Sequence, residues 1–243
     1  MATTQRILRN TGFLSSAYVG QKLLSFIYFT LIARFVGVLD TGSYVFALSY
    51  STLWSVIVDF GLSNLLQREI AQKPEQTARL VNATLLLKTG YGFTAVVVGM
   101  LLLRLLDQPP QTVKMVAIAM AVMLFDSFNL TIWSAFRGHH KLQYESASIV
   151  ASHCIVLAVG LVGLRFDARL EILVAALLAG SMFTTMIAVA MCRKQLNFWP
   201  HPSFAPFGHG RLWRESFSFG LASAFTRVFA SIDSVLLVVD AQE

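Results

Sequence analysis

Between Gly42 and Leu66 the chain runs for 25 residues with one formal charge, Asp59. Written as a helix, that length is about 38 Å, enough to cross a hydrocarbon core of roughly 30 Å with some tilt. The run stops at Gln67, Arg68 and Glu69. A lone carboxylate inside a span costs about 3 kcal/mol unless it faces protein, water or a partner. A segment of this kind therefore belongs in a membrane, as one wall of a bundle with a polar interior.

The rest of the chain repeats the pattern. Apolar stretches fall at about Gly12–Val36, Gly42–Leu66, Val81–Leu106, Thr112–Phe136, Ser146–Leu164, Leu170–Cys192 and Leu212–Val239. Only 13% of the 243 residues are charged and mean hydropathy is +0.64, whereas soluble domains carry about 25% charge. The expected fold is all-α: a polytopic membrane helix bundle of about seven transmembrane helices. Polar connections separate the spans, with Pro74 breaking the second and Asp107-Gln108-Pro109-Pro110 turning the third into the fourth. Arg137–Glu145 reads as a basic loop. Arg193–Gly210 mixes Pro200, Pro202 and Pro206 with Phe198, Trp199, Phe204 and Phe207, a composition suited to the headgroup layer.

Basic residues set the orientation. With the N-terminus inside, the inner segments hold 11 Lys and Arg and the outer turns hold 5. The bias predicts a cytoplasmic N-terminus. The net charge of +6 lies between spans, so it marks topology and headgroup contact and not nucleic acid. Arg6 and Arg9 precede a long apolar run with no small-residue cleavage site, the pattern of a signal-anchor first span.

Six ionisable residues fall within spans: Lys22, Asp59, Lys88, Asp126, Arg227 and Asp233. Facing lipid, they would cost roughly 15–20 kcal/mol together, more than a typical folding stability. They are expected to pair or to face water. Lys88, about two turns from its inner end, reads as a snorkelling lysine. Asp59 can organise its own helix end through Ser63 and Asn64, and Asp233 can pair with Arg227. Lys22 and Arg227 are deep cations on the first and seventh spans. A deep cation calls for an anion, and lipid phosphate is the commonest anion at a membrane. Asp126 is either their counter-charge or a cation-coupling group.

Other chemistries find little support. Cys154 and Cys192 lie in apolar stretches without CxxC spacing and read as buried small hydrophobes. His153 reads as hydrogen-bonded packing, and His139-His140 as solvated surface. No metal set at helical spacing occurs. The sequence contains no GxxxxGK[ST], GxSxG, HExxH or Rossmann fingerprint. No cofactor, no metal and no enzyme activity are expected. Asn82-Ala-Thr84 and Asn129-Leu-Thr131 match the glycosylation pattern but fall within or at the inner end of spans, and are taken as chance.

Ile32-Ala33-Arg34-Phe35-Val36-Gly37, Gly42-Ser43-Tyr44, Asp59-Phe60-Gly61-Leu62 and Arg68-Glu69-Ile70-Ala71 resemble the opening of the polysaccharide flippases. These are the Wzx-type O-antigen and exopolysaccharide transporters of the MATE-like (MOP) exporter superfamily. Leu212-Trp213-Arg214-Glu215-Ser216-Phe217-Ser218-Phe219-Gly220-Leu221, followed by Asp233, is similar to their seventh span. The resemblance implies two six-helix lobes around a cavity, rocking in alternating access. Residues 1–192 would be the N-terminal lobe, 193–210 a cytoplasmic interfacial linker and 211–243 the first helix of a truncated C-terminal lobe. The implied function is flipping of polyprenyl-diphosphate-linked oligosaccharide across the cell membrane for polysaccharide biosynthesis. Lys22 and Arg227 would hold the diphosphate, and Asp59 and Asp126 would shape or couple the cavity. Membrane lipids and a separate C-terminal half are the implied partners. The rivals are a peptidoglycan-precursor flippase or cation antiporter of the same superfamily, and a non-transporting fragment.

Overall fold

The computed structural model describes residues 2–106, 108–166 and 170–203. Those residues carry seven α-helices: α1 (Ala2–Val36), α2 (Val38–Asp59), α3 (Leu62–Gln72), α4 (Thr77–Leu105), α5 (Pro110–Gly138), α6 (Leu142–Phe166) and α7 (Leu170–Leu196). No strand occurs among them. The segment Leu212–Val239, with Arg227 and Asp233, lies outside the described residues.

The expected unbroken helix over Gly42–Leu66 is a correction. It breaks after Asp59, where Phe60 takes φ 28° and Gly61 φ 77°, and α3 leaves at 41° to α2. A left-handed residue cannot continue a right-handed helix, and Gly61 is the residue type that takes it without a Cβ penalty. Hydropathy carries no signal for such a break. It leaves α3 as a short helix whose Leu62, Leu65, Leu66 and Ile70 are buried.

Four helical segments are individually long and apolar enough to cross a bilayer: Pro74–Leu105, Pro110–Gly138, Leu142–Arg165 and Leu170–Leu196. The bent pair α2–α3 counts as a fifth if taken as one span. Large apolar side chains point outward along these helices: Leu53, Phe93, Val162 and Met186 are 57–71% exposed. A soluble protein would not display such faces, whereas lipid solvates them. The chain is a multi-pass membrane protein.

Helix α5 is the hub. It packs on α2, α3, α4 and α7, and 56% of its apolar window is buried, against 22–33% for the other three. Glycines allow close approach. A Cβ at Gly138 would stand 2.8 Å from Ile70 Cγ2 and 3.1 Å from the Gln67 carbonyl, so α3 lies directly on the end of α5. Gly180 of α7 similarly sits against Val156 and the Ser152 carbonyl of α6. Tyr28 Oη donates to the Leu173 carbonyl at 2.8 Å, tying α1 to α7. Tyr50 Oη donates to the Gly99 carbonyl at 2.7 Å, tying α2 to α4.

The basic loop expected over Arg137–Glu145 shrinks to His139–Lys141 between α5 and α6. Lys141 Nζ caps the far end of α7 by donating to the Gln195 carbonyl at 3.0 Å. In the last turn of α7, Arg193 stacks its guanidinium over the exposed Trp199 ring at 5.8 Å. The His201 backbone N–H donates to Asn82 Oδ1 at 3.1 Å, which leaves Asn82 buried and inaccessible to glycosylation.

Candidate functional site

The Asp59 carboxylate finds its partner on α4. Lys88 Nζ stands 2.7 Å from Asp59 Oδ1. It also donates to Ser63 Oγ at 2.9 Å and to the Ser127 carbonyl at 3.1 Å. Ser63 Oγ in turn donates to Asp59 Oδ1 at 2.5 Å, the local organisation expected of Asp59. The snorkelling assignment for Lys88 is wrong: its side chain is 0% exposed. Three acceptors at bilayer depth hold the ammonium better than a stretched route to the headgroups. The α2–α3 break makes this possible, because it places Asp59 and Ser63 on either side of the kink.

Asp59 also lines an open cavity of about 520 Å³, walled by α1, α2, α5, α6 and α7. Along α5 it reaches from Val122 to Arg137, a depth of about 22 Å of helix. Its polar lining is mostly uncharged: Gln21, Ser51, Thr52, Ser55, Ser127, Asn129, Ser152, Ser181 and Thr184. Asp126 faces it and accepts from Ser181 Oγ at 2.6 Å. Asn129 Nδ2 donates to the Ser181 carbonyl at 3.1 Å. His153 lines the same wall with Nδ1 2.9 Å from the Ile149 carbonyl, the packing role expected of it.

A second cavity, about 560 Å³, opens at the end of the bundle where α3 and α5 finish and α6 begins. The two cavities share two residues, Tyr18 and Arg137. Arg137 Nε donates to Glu145 Oε2 at 2.8 Å, and its Nη2 pairs closely with Glu145 Oε1. The same Nη2 lies 3.4 Å from Tyr18 Oη. Glu145 is 2% exposed, so this bidentate pair is shielded from bulk solvent on the carboxylate side. Sequence reading missed it by placing both residues in a loop. The available signal was the eight-residue spacing of an Arg and a Glu on opposite arms of a helical hairpin.

The expected site residues divide. Asp59 and Asp126 both line the deep cavity. Lys22 is exposed on α1 and is not among the lining residues, although Gln21 before it is. It follows Tyr18 by four positions, so it lies on the same side of α1 about one turn further along. Arg227 lies outside the described residues. Cys154 is exposed and only Cys192 is buried, which corrects the expectation of two buried thiols. No group of three or more His, Cys, Asp or Glu side chains converges among the described residues.

Residues 7–239 match the profile of a family described as polysaccharide biosynthesis protein. No curated protein matches at a significant level. Three solved structures share the fold. One is an outward-facing multidrug-resistance MATE family transporter of the MOP superfamily, with a TM-score of 0.76 and 14% identity. One is a MOP superfamily transporter from Pyrococcus furiosus, with a TM-score of 0.74 and 15% identity, reported for the reverse polarity of its binding pocket. The third is a MATE in a bent conformation, with a TM-score of 0.69 and 15% identity. Each covers 96% of this chain, and the chain spans about half of each, 54–55%. The first two are described as transporters. With its helices in the MOP arrangement and its sequence matched almost from end to end, the chain belongs to the polysaccharide biosynthesis protein family.

Proposed function

We propose that this chain forms the N-terminal lobe of a transporter that flips polyprenyl-diphosphate-linked oligosaccharide across the cell membrane. The observation that carries the reading is the deep cavity, some 520 Å³ among lipid-facing helices, whose polar lining is mostly hydroxyls and amides set between apolar side chains. A sugar presents many hydroxyls that need both donors and acceptors, and such a wall offers both. A multi-pass membrane protein of a family described by polysaccharide biosynthesis fits a role in moving a sugar across the bilayer.

In this reading the N-terminus is cytoplasmic, residues 1–192 form the lobe, 193–210 link it and 211–243 begin the opposite wall. That wall is completed by a second lobe, on the same or a separate polypeptide. Lys22 and Arg227 hold the diphosphate as it crosses. Asp59, clamped by Lys88, shapes the cavity, and Asp126 shapes or couples it. The lobes alternate access by rocking. The test is export of surface polysaccharide by cells whose own flippase has been deleted. Lys22→Glu and Arg227→Glu are expected to abolish it. Full export by both variants at normal protein levels would sink the assignment.

A second reading has its own observation. Three carboxylates, Asp59, Asp126 and Glu145, line the deep cavity beside one guanidinium. Asp126 has no ion-pair partner among the described residues. An acidic wall suits a cation, so export of organic cations is the alternative. Charge reversal at Lys22 should leave such efflux intact while removing sugar-lipid export.

A further inference from the structure

The two cavities meet at Arg137 and Tyr18 but differ in charge. The deep one carries three carboxylates, two of them paired, Asp59 with Lys88 and Glu145 with Arg137. The one at the end of the bundle is lined by Arg68, Arg137, His140, Asn64, Gln67 and Tyr18 together with apolar residues, and by no acid. We infer that this end cavity is a loading site for the diphosphate of a polyprenyl-linked substrate, which it holds while the attached sugar enters the deep cavity. The inference rests on the proposed function and assigns where its substrate first docks.

The physics separates the two halves of such a substrate. A diphosphate in the deep cavity meets Asp126, which has no ion-pair partner among the described residues, while Asp59 and Glu145 already hold Lys88 and Arg137, so like charge opposes it there. In the end cavity it meets the Arg68 guanidinium and the donors of Arg137 that Glu145 and Tyr18 do not take, planar groups that match phosphate oxygens in pairs. A guanidinium has five N–H donors, and Glu145 and Tyr18 engage three of those on Arg137. The amides of Asn64 and Gln67 and the Tyr18 phenol add neutral donors. The site lies where the basic segments of the chain cluster, the end expected to face the cytoplasm.

Two structural features build it. The α2–α3 break swings α3 across the end of the bundle and brings Arg68 to the rim. Gly138 then lets α3 lie on α5, with Ile70 Cγ2 only 2.8 Å from where a Cβ would be. Lys22 stands four residues beyond Tyr18, about 6 Å deeper along α1.

The test uses the full chain in nanodiscs of phosphatidylcholine, with geranylgeranyl diphosphate as the probe and affinity read by native mass spectrometry. Arg68 and His140 are exposed, so Arg68→Gln and Arg68→Gln/His140→Gln should fold as the parent does. Arg68→Gln is expected to weaken binding about tenfold, the worth of one charged hydrogen bond, and the double variant further. Geranylgeranyl monophosphate should bind more weakly than the diphosphate. Phosphatidylglycerol added to the disc, or inorganic pyrophosphate, should compete poorly, because neither joins a diphosphate to a prenyl chain. Wild-type affinity in both variants, in a chain that still supports export, overturns the loading site and leaves the proposed function standing. Displacement by phosphatidylglycerol at equal concentration also overturns it, and makes the cavity a general headgroup site. No binding of the probe to the unaltered chain overturns both.

Discussion

Lys88→Met replaces a buried ammonium with an apolar chain of similar length. In the native fold Lys88 Nζ is 2.7 Å from Asp59 Oδ1 and its side chain is 0% exposed. At an effective dielectric of 20 that separation corresponds to a direct attraction of about 6 kcal/mol. Desolvation of both charges offsets much of it. The relevant quantity is therefore what remains when one partner goes. Asp59, with a side chain only 13% exposed, would keep the Ser63 hydroxyl at 2.5 Å and lose its counter-charge. Breaking a buried pair in this way costs about 3–5 kcal/mol. At roughly 2–4 °C per kcal/mol for a chain of this size, Tm should fall by about 10 °C. Lys88→Met/Asp59→Asn removes both charges and should recover most of the loss, because a buried pair and its neutral substitute differ little. Thermal unfolding in one detergent, with all four members of the cycle, measures this. A Lys88→Met chain within 2 °C of the parent would refute the reasoning, as would a double variant no better than the single one. Either result would mean that Asp59 is solvated from the cavity and does not depend on Lys88.

Three further outcomes follow from the same coordinates. Gly61→Ala puts a Cβ on a residue at φ 77° and should destabilise by about 1–2 kcal/mol, read as a lower Tm with the same helical circular dichroism. Gly138→Leu drives a side chain into Ile70 and the Gln67 carbonyl, which stand 2.8 and 3.1 Å from the added Cβ. It should cost about 1–3 kcal/mol and increase protease access at the α3–α4 connection. His139 lies just past α5, its Nε2 2.8 Å from Thr77 Oγ1. Burial first, then Lys141 and His140, hold its imidazole below the ordinary value of 6.5. The folded state thus prefers it neutral. Its contribution is fully present above about pH 6.5 and is lost as pH falls through the depressed value. Between pH 7.5 and 5, His139→Gln should lose less Tm than the parent; equal slopes would remove His139 from the account.

Membrane class, the helical stretches of the described residues to within one break, and the need for internal charge pairing were legible in the order of residues, although four of those helices, or five with the bent pair, are long and apolar enough to span. Each follows from a local quantity: hydropathy over about 20 residues, the positions of Lys and Arg, and the cost of charge in lipid. The partners were not legible. Asp59 and Lys88 are 29 positions apart on different helices, and no periodicity says that one helix bends to meet the other. Only the kink at Phe60-Gly61 and the packing of α3 on α5 decided it. The same holds for Arg137 and Glu145, read as loop and found as a shielded pair at the junction of two cavities. Local sequence sets which groups are too costly to leave in lipid, while the tertiary fold selects their partners, because pairing depends on distances through space that chain order does not encode.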